Sequence, residues 1–137
     1  MAADTLINDF ELPFQLYDVL GTEHLTEHQK FAEHSRETFD AVLDTANKIA
    51  TQLFLPHNHV ADKNEPQFDG KKVSMIDDVK VAFDAFRESG FIAGRYSFDD
   101  GGMQSPETVM TAVAGYFMVA NPSTTAYPFL TTAAINV

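Results

Sequence analysis

Apolar residues return every three to four positions over several stretches of the chain, and no stretch sustains strand-like alternation. The clearest run opens at Ser35, an N-cap residue type. Phe39, Val42, Leu43, Ala46, Ile49, Ala50 and Leu53 share one helical face, while Asp40, Asp44, Asn47, Lys48, Thr51 and Gln52 share the other. Pro56 is the expected stop. A second helix is expected from Ser74, with Asp77 and Asp78 in its first turn. Ile76, Val79, Phe83 and Phe86 line its inner face, and Gly90 ends it. The third run lies in Ser105 to Val137. Ser105 reads as an N-cap, Pro106 as the first helical residue and Glu107 as an acid suited to the first turn. From Val109 to Ala120 the helix is apolar almost all round, with Thr111 and Gly115 as the only relief, which predicts burial on all sides. It is too short to span a membrane. Asn121-Pro122 stops it, and a second apolar segment, expected to be a second buried helix, runs to Ile135-Asn136-Val137 without a polar tail. The expected helices span 36–54, 75–89 and 106–120. The uncapped ending predicts that the chain is the front part of something larger.

The rest of the chain is less periodic. Residues Met1 to Asn8 are small and polar and are expected to fray. Phe10, Phe14, Leu16, Tyr17, Val19 and Leu20 suggest a short apolar helix or turn, closed by Gly21. Thr22 to His34 is polar, anchored by Leu25 and Phe31. His57 to Val73 reads as a loop with a tight turn at Asp69-Gly70. Phe91 to Met103 reads as a second loop, where Gly101-Gly102 permits a backbone path closed to other residues. The pattern predicts an all-α fold with little or no sheet.

Composition narrows the function. A chain of 137 residues suits one domain with a real core. The formal net charge of −11 argues against nucleic acid and against anionic lipid, since both need clustered Lys and Arg. Cysteine is absent, so disulfides, thiolate metal sites and thiol nucleophiles are excluded. The start, MAADTLINDF, lacks the basic and apolar regions of a signal peptide, which gives a cytoplasmic location by default.

Candidate chemistry is sparse. His24-Leu25-Thr26-Glu27-His28 spells the inverted zinc-protease pattern, H-x-x-E-H. Its surroundings are polar, and a solvated helix face accounts for it better. His57-Asn58-His59 follows a helix-ending proline and reads as a loop capping that helix. Asp99-Asp100-Gly101-Gly102 lacks the alternating acids of a calcium loop and the Lys-Ser/Thr of a phosphate loop, so it reads as a turn. Tyr116, Phe117, Met118, Tyr127 and Phe129 suit a pocket or simple core. No catalytic residue, cofactor loop or metal site stands out.

Taken in order, four segments resemble the N-terminal helical domain of acyl-CoA dehydrogenases, in particular the bacterial subgroup with an extra leading segment. Phe14-Gln15-Leu16-Tyr17-Asp18-Val19-Leu20-Gly21 is similar to "F-x-L-x-D/E-V-L-G". Leu55-Pro56-His57-Asn58-His59-Val60-Ala61-Asp62 is similar to "A-P-L-N-x-x-G-D". Phe83 to Gly94, with Glu88-Ser89-Gly90-Phe91, resembles the helix and "G-W/F" turn that follow. Gly101-Gly102-Met103-Gln104-Ser105-Pro106 resembles "G-G-x-G-L-P". The departures are His57 for Leu, Ala61 for Gly, and Gln104-Ser105 for Gly-Leu.

The resemblance implies an orthogonal or up-down helical bundle over residues 35–137, preceded by an extension over 1–34. It implies FAD and an acyl-CoA substrate for the full enzyme, an electron-transfer acceptor and a homo-oligomer. The family's middle and C-terminal domains supply most flavin contacts and the catalytic glutamate. This chain alone is therefore expected to be inactive and not to hold FAD. By the same resemblance Thr125, Ala126, Phe129 and Leu130 face the acyl chain, although apolar lining and apolar core read alike at Phe129 and Leu130. The rival reading is a non-enzymatic helical module that docks on a partner through its apolar C-terminal helices.

Overall fold

The computed structural model describes residues 6–135. Among the described residues the fold is helical, with one two-stranded hairpin of two residues a side. Six α-helices run in order among them: α1 (Glu11–Pro13), α2 (Arg36–Ile49), α3 (Asn58–Lys63), α4 (Asp77–Glu88), α5 (Glu107–Ala120) and α6 (Pro122–Ile135). Of the expected frayed start, Met1 to Thr5 lie outside the described residues, as do Asn136 and Val137 of the uncapped ending.

α2 forms for the reasons its sequence carries. Ser35 is extended and accepts a bond from the Thr38 N–H at 3.4 Å, while Thr38 Oγ1 accepts from the Ser35 N–H at 2.9 Å. Phe39, Leu43 and Ala46 are buried, and Val42 and Ile49 pack against them at the edge. The helix widens into a π-turn over Ala50–Phe54 and tightens into a 3₁₀ turn over Leu55–His57. Pro56 therefore does not end the helical path as expected. It sits within the 3₁₀ turn, which leads straight into α3.

The expected loop His57–Val73 thus contains a helix and the hairpin. Strands β1 (Gln67–Phe68) and β2 (Val73–Ser74) pair antiparallel. The turn is the expected one: Gly70 takes φ +95°, and Asp69 Oδ1 accepts from the N–H groups of Lys71 and Lys72. Ser74 is spent in β2, so α4 starts at Asp77, three residues later than expected. It buries Val79, Ala82 and Phe86 and ends at Gly90, φ +80°.

α5 packs on α2 and on the π-turn, at the centre of the fold. Phe117 is fully buried, with ring centroids 4.8 Å from Phe54, 4.8 Å from Phe86 and 5.9 Å from Phe91, all edge-on. Such a cluster adds to the burial term about 0.5–1.5 kcal/mol per aromatic pair. The expectation that α5 is buried on all sides needs correction. Met118 and Val119 are 46% and 54% exposed, because no described element covers that edge of its last turns.

Ser105 does not cap α5. Pro106 takes the cap position, and the buried Ser105 Oγ has no hydrogen-bond partner among the described residues. The Ser105 N–H instead donates to the Gly94 carbonyl at 2.9 Å.

α6 also departs from expectation. Asn121 both ends α5 and begins α6: its Oδ1 accepts from the Thr124 N–H at 3.0 Å, and its Nδ2 donates to the Phe54 carbonyl at 3.1 Å. Pro122 follows at the first helical position. The buried residues of α6 are Thr124, Thr125 and Pro128, whereas Leu130 and Ile135 are 70% and 46% exposed. The helix therefore turns its threonines inward and much of its apolar surface outward. Hydrogen-bond acceptors on the neighbouring turns decide this. Thr125 Oγ1 donates to the Phe117 carbonyl at 2.8 Å, a second bond beside the one from the Asn121 N–H at 2.9 Å, and Thr124 Oγ1 meets His57.

The leading segment lies against this core. Leu16 and Thr22 are buried, and Leu25 and Phe31 are half-buried. Gly21 closes the Phe14–Val19 π-turn with φ +60°. Gln104 provides a further tie. It is the one described non-glycine residue with positive φ, +50°. Its side chain donates to the Lys30 carbonyl at 2.5 Å, and its carbonyl lies 3.0 Å from His34 Nε2.

Candidate functional site

Where α4, the turn after it, α5 and α6 meet, a cleft of 430 Å3 opens. Phe86 comes from the inner face of α4. Phe91 comes from the 3₁₀ turn Phe91–Ala93, aimed by the left-handed Gly90 before it. Met110, Val113 and Ala114 come from α5, one helical turn apart, and Phe129, Thr132 and Ala133 from α6. Gly94 makes room for Met110: a Cβ there would lie 2.4 Å from the Met110 methyl carbon.

At the rim, Arg95 grips Glu107 with both arms of its fork. Nε donates to Oε2 at 2.5 Å and Nη2 to Oε1 at 2.9 Å. Thr111 Oγ1 adds a weaker bond to Oε1 at 3.4 Å. The Arg95 hydrogen bonds hold the Glu107 carboxyl below its usual pKa, against a smaller opposing effect of burial. This cleft has the size and the mostly apolar lining of a small-molecule site. A larger hollow of 560 Å3 lies beside the hairpin, lined by Asp62, Lys63, Asn64, Glu65, Gln67 and Ser74. Those side chains are all exposed, so it offers a ligand little burial.

The four residues assigned by resemblance separate. Phe129 is half-buried and lines the cleft. Thr125 is fully buried with its hydroxyl committed to the Phe117 carbonyl. Ala126 and Leu130 lie one helical turn apart on the exposed side of α6. Arg95, Glu107, Met110 and Thr132 were not among the expected residues. The i, i+3 spacing of Glu107 and Met110 was visible in the sequence, but the pairing with Arg95, 12 residues away, was not.

The other motifs fall apart as chemistry. His24 Nδ1 lies 3.1 Å from Glu27 Oε1, both highly exposed. The 3₁₀ turn Thr22–Glu27 ends before His28, whose backbone is extended, so the two histidines share no helical face. Among the described residues no group of three or more His, Asp or Glu is placed to hold a metal. His57-Asn58-His59 is not the expected loop but runs from a 3₁₀ turn into α3, with His57 buried and its Nδ1 2.7 Å from the Leu53 carbonyl. In Asp99-Asp100-Gly101-Gly102, Ser97 Oγ donates to Asp100 Oδ2 at 2.6 Å and Gly101 has φ +76°, a turn.

A flavin dinucleotide brings a dianionic pyrophosphate, which needs free donors or cations. Of the described residues around the cleft, Arg95 is the single cation, and Glu107 already engages it. The described residues that line the cleft thus offer a pyrophosphate no free cation.

No family model matches the chain. The broad-specificity linear acyl-CoA dehydrogenase FadE5 of Mycobacterium tuberculosis is similar to it, at 27% identity over 118 residues. The match covers 83% of this chain and 19% of that protein, so the chain corresponds to about a fifth of its relative's length. The likeness is a distant one to an acyl-CoA dehydrogenase, a kind of oxidoreductase. Among the described residues, no helix is long and apolar enough to cross a membrane.

Proposed function

We propose that this chain is the N-terminal helical domain of an FAD-dependent acyl-CoA dehydrogenase, with residues 1–34 as an extension, and that it contributes the wall of the acyl-chain pocket. The observation that carries this reading is the likeness to the mycobacterial enzyme along most of the chain. The apolar cleft under α6 supports the role, because an alkyl tail needs a slot that excludes water. The complete enzyme would remove the α-proton of an acyl-CoA and pass the β-hydrogen as hydride to flavin, leaving a trans-2-enoyl-CoA. The base and most of the flavin site would come from other domains, so this chain alone is inactive. Phe129 would meet the alkyl chain in the cleft. Ala126 and Leu130 would lie on the outer side of α6, away from a chain held in the cleft, and Thr125 would hold α6 against α5.

A second reading, a helical module that docks on a partner without enzymatic function, draws on the exposed Met118, Val119, Leu130 and Ile135. Ligand binding separates the two. The chain has no tryptophan, so Phe129→Trp installs a single indole reporter in the cleft. Titration with decanoate should shift its emission to the blue and saturate. No response to the alkyl chain would count against the wall reading and favour the docking module.

A further inference from the structure

We infer that the Arg95–Glu107 ion pair selects what the cleft admits: chains with an uncharged end enter, and chains that would bring a carboxylate to the pair are rejected. This rests on the reading of the cleft as an acyl-chain wall.

The charge balance at the rim carries the inference. Among the described residues that line the cleft, Arg95 is the single cation, so its guanidinium is the group there that attracts an incoming carboxylate. Its fork is already filled by Glu107, at 2.5 and 2.9 Å, and the Arg95 side chain is only 31% exposed. A second carboxylate must displace Glu107 or lie against Phe86, Phe91, Met110 and Val113 with no partner. An unpaired charge on an apolar wall is strongly disfavoured. Displacing Glu107 means giving up both Arg95 bonds and the weaker one from Thr111. A methyl end loses nothing in the same place. The pair is thus a masked anion site. The guanidinium geometry suits a carboxylate two-pronged, and Glu107 occupies it from within the chain.

The test uses the Phe129→Trp reporter with decanoate, which has a methyl end, and decanedioate, which has a carboxylate at each end. With the pair intact, decanedioate should bind at least about tenfold more weakly than decanoate. Glu107→Gln removes the mask and should raise decanedioate affinity by at least about tenfold. Arg95→Gln leaves Glu107 unneutralised and should deepen the rejection, so the two substitutions move in opposite directions even if one of them lowers stability. The double substitution removes both charges and should return the affinity towards that of the unsubstituted pair. Equal binding of the two acids to the intact pair, or no gain for decanedioate on Glu107→Gln in a protein that keeps its helical spectrum, would overturn the inference and leave the wall reading in place. Failure of decanoate itself to bind would overturn both.

Discussion

His57 and Thr124 meet in the interior, with Nε2 of the imidazole 2.8 Å from the threonine Oγ1. Both side chains are buried, 67 residues apart in sequence. The Leu53 carbonyl, 2.7 Å from Nδ1, can only accept, so Nδ1 carries the proton. Nε2 and the Thr124 hydroxyl share the second hydrogen bond of the ring. One imidazole therefore ties the end of the π-turn to the first turn of α6. Where the acyl-CoA dehydrogenase pattern resembled by this sequence has leucine, this chain has a cross-link.

His57→Leu is expected to destabilise the fold by about 2–3 kcal/mol, because it leaves a buried hydroxyl and a carbonyl without partners. Thr124→Val should cost somewhat less. The double substitution removes both sides of the contact and should lose clearly less than the sum of the two. Urea unfolding of the three variants measures this. Strict additivity would mean that the two side chains do not depend on each other.

The difference between what the sequence showed and what it hid has a physical origin. α2 and α4 were legible because their burial follows local periodicity, and Ser35, Gly21 and Gly90 act on their own neighbours, whereas α5 was legible as a helix but not in its exposed edge at Met118 and Val119. α6 was not legible. Its threonines turn inward because acceptors from residues 57 and 117 await them, and no local pattern encodes a distant carbonyl. Ser105 and Pro56 misled for a related reason. Each is a residue type that signals a boundary, but the chain resolves the boundary with Pro106 at the cap and with a 3₁₀ turn. Of the candidate site, Phe129 was identified through resemblance. The Arg95–Glu107 pair joins a turn to α5 across 12 residues, which no local pattern announces.

Gln104 gives a test of backbone strain against side-chain ties. Its φ of +50° costs an ordinary residue about 1 kcal/mol relative to glycine. The bond from its side chain to the Lys30 carbonyl offsets that cost. Gln104→Ala keeps the strain and loses the bond, so it should destabilise by about 1–2 kcal/mol. Gln104→Gly loses the bond but relieves the strain, and should fall between the two. Thermal melts give the order, and amide exchange over residues 29–34 should accelerate in both variants. A glycine variant less stable than the alanine variant would refute this account.

Tyr17 should make stability fall in alkali. Burial, then its 2.6 Å hydrogen bond to Asp40, raise its pKa well above the usual 10.0, with Arg36 over the ring as a smaller opposing influence. The folded state therefore keeps a proton that the unfolded state releases. The stabilisation is complete below the unfolded value of about 10 and is lost as pH rises from there towards the folded pKa. Tyr116 is raised as well, mainly by burial. Ultraviolet titration of tyrosinate should show a late component that becomes smaller in Tyr17→Phe. An unchanged titration curve in that variant would sink the assignment.

The outer side of α6 should draw two copies together. From Thr108 to Val137 the sequence holds no charged residue, on a chain whose net charge is −11. Leu130 is 70% exposed there, and Ala126 and Tyr127 are exposed beside it. Two strongly acidic copies repel each other over most of their surfaces, and this is the face on which they approach without opposing charges. Burying apolar area contributes about 25 cal/mol per Å2, set against the entropy lost on association, so association should be weak and concentration-dependent. Leu130→Glu places a carboxylate at the centre of the face on each copy and should abolish the effect with little loss of stability, since the side chain is exposed. Light scattering across a dilution series reads the outcome. A monomer at millimolar concentration, or association that Leu130→Glu leaves untouched, would show that the contact does not use α6.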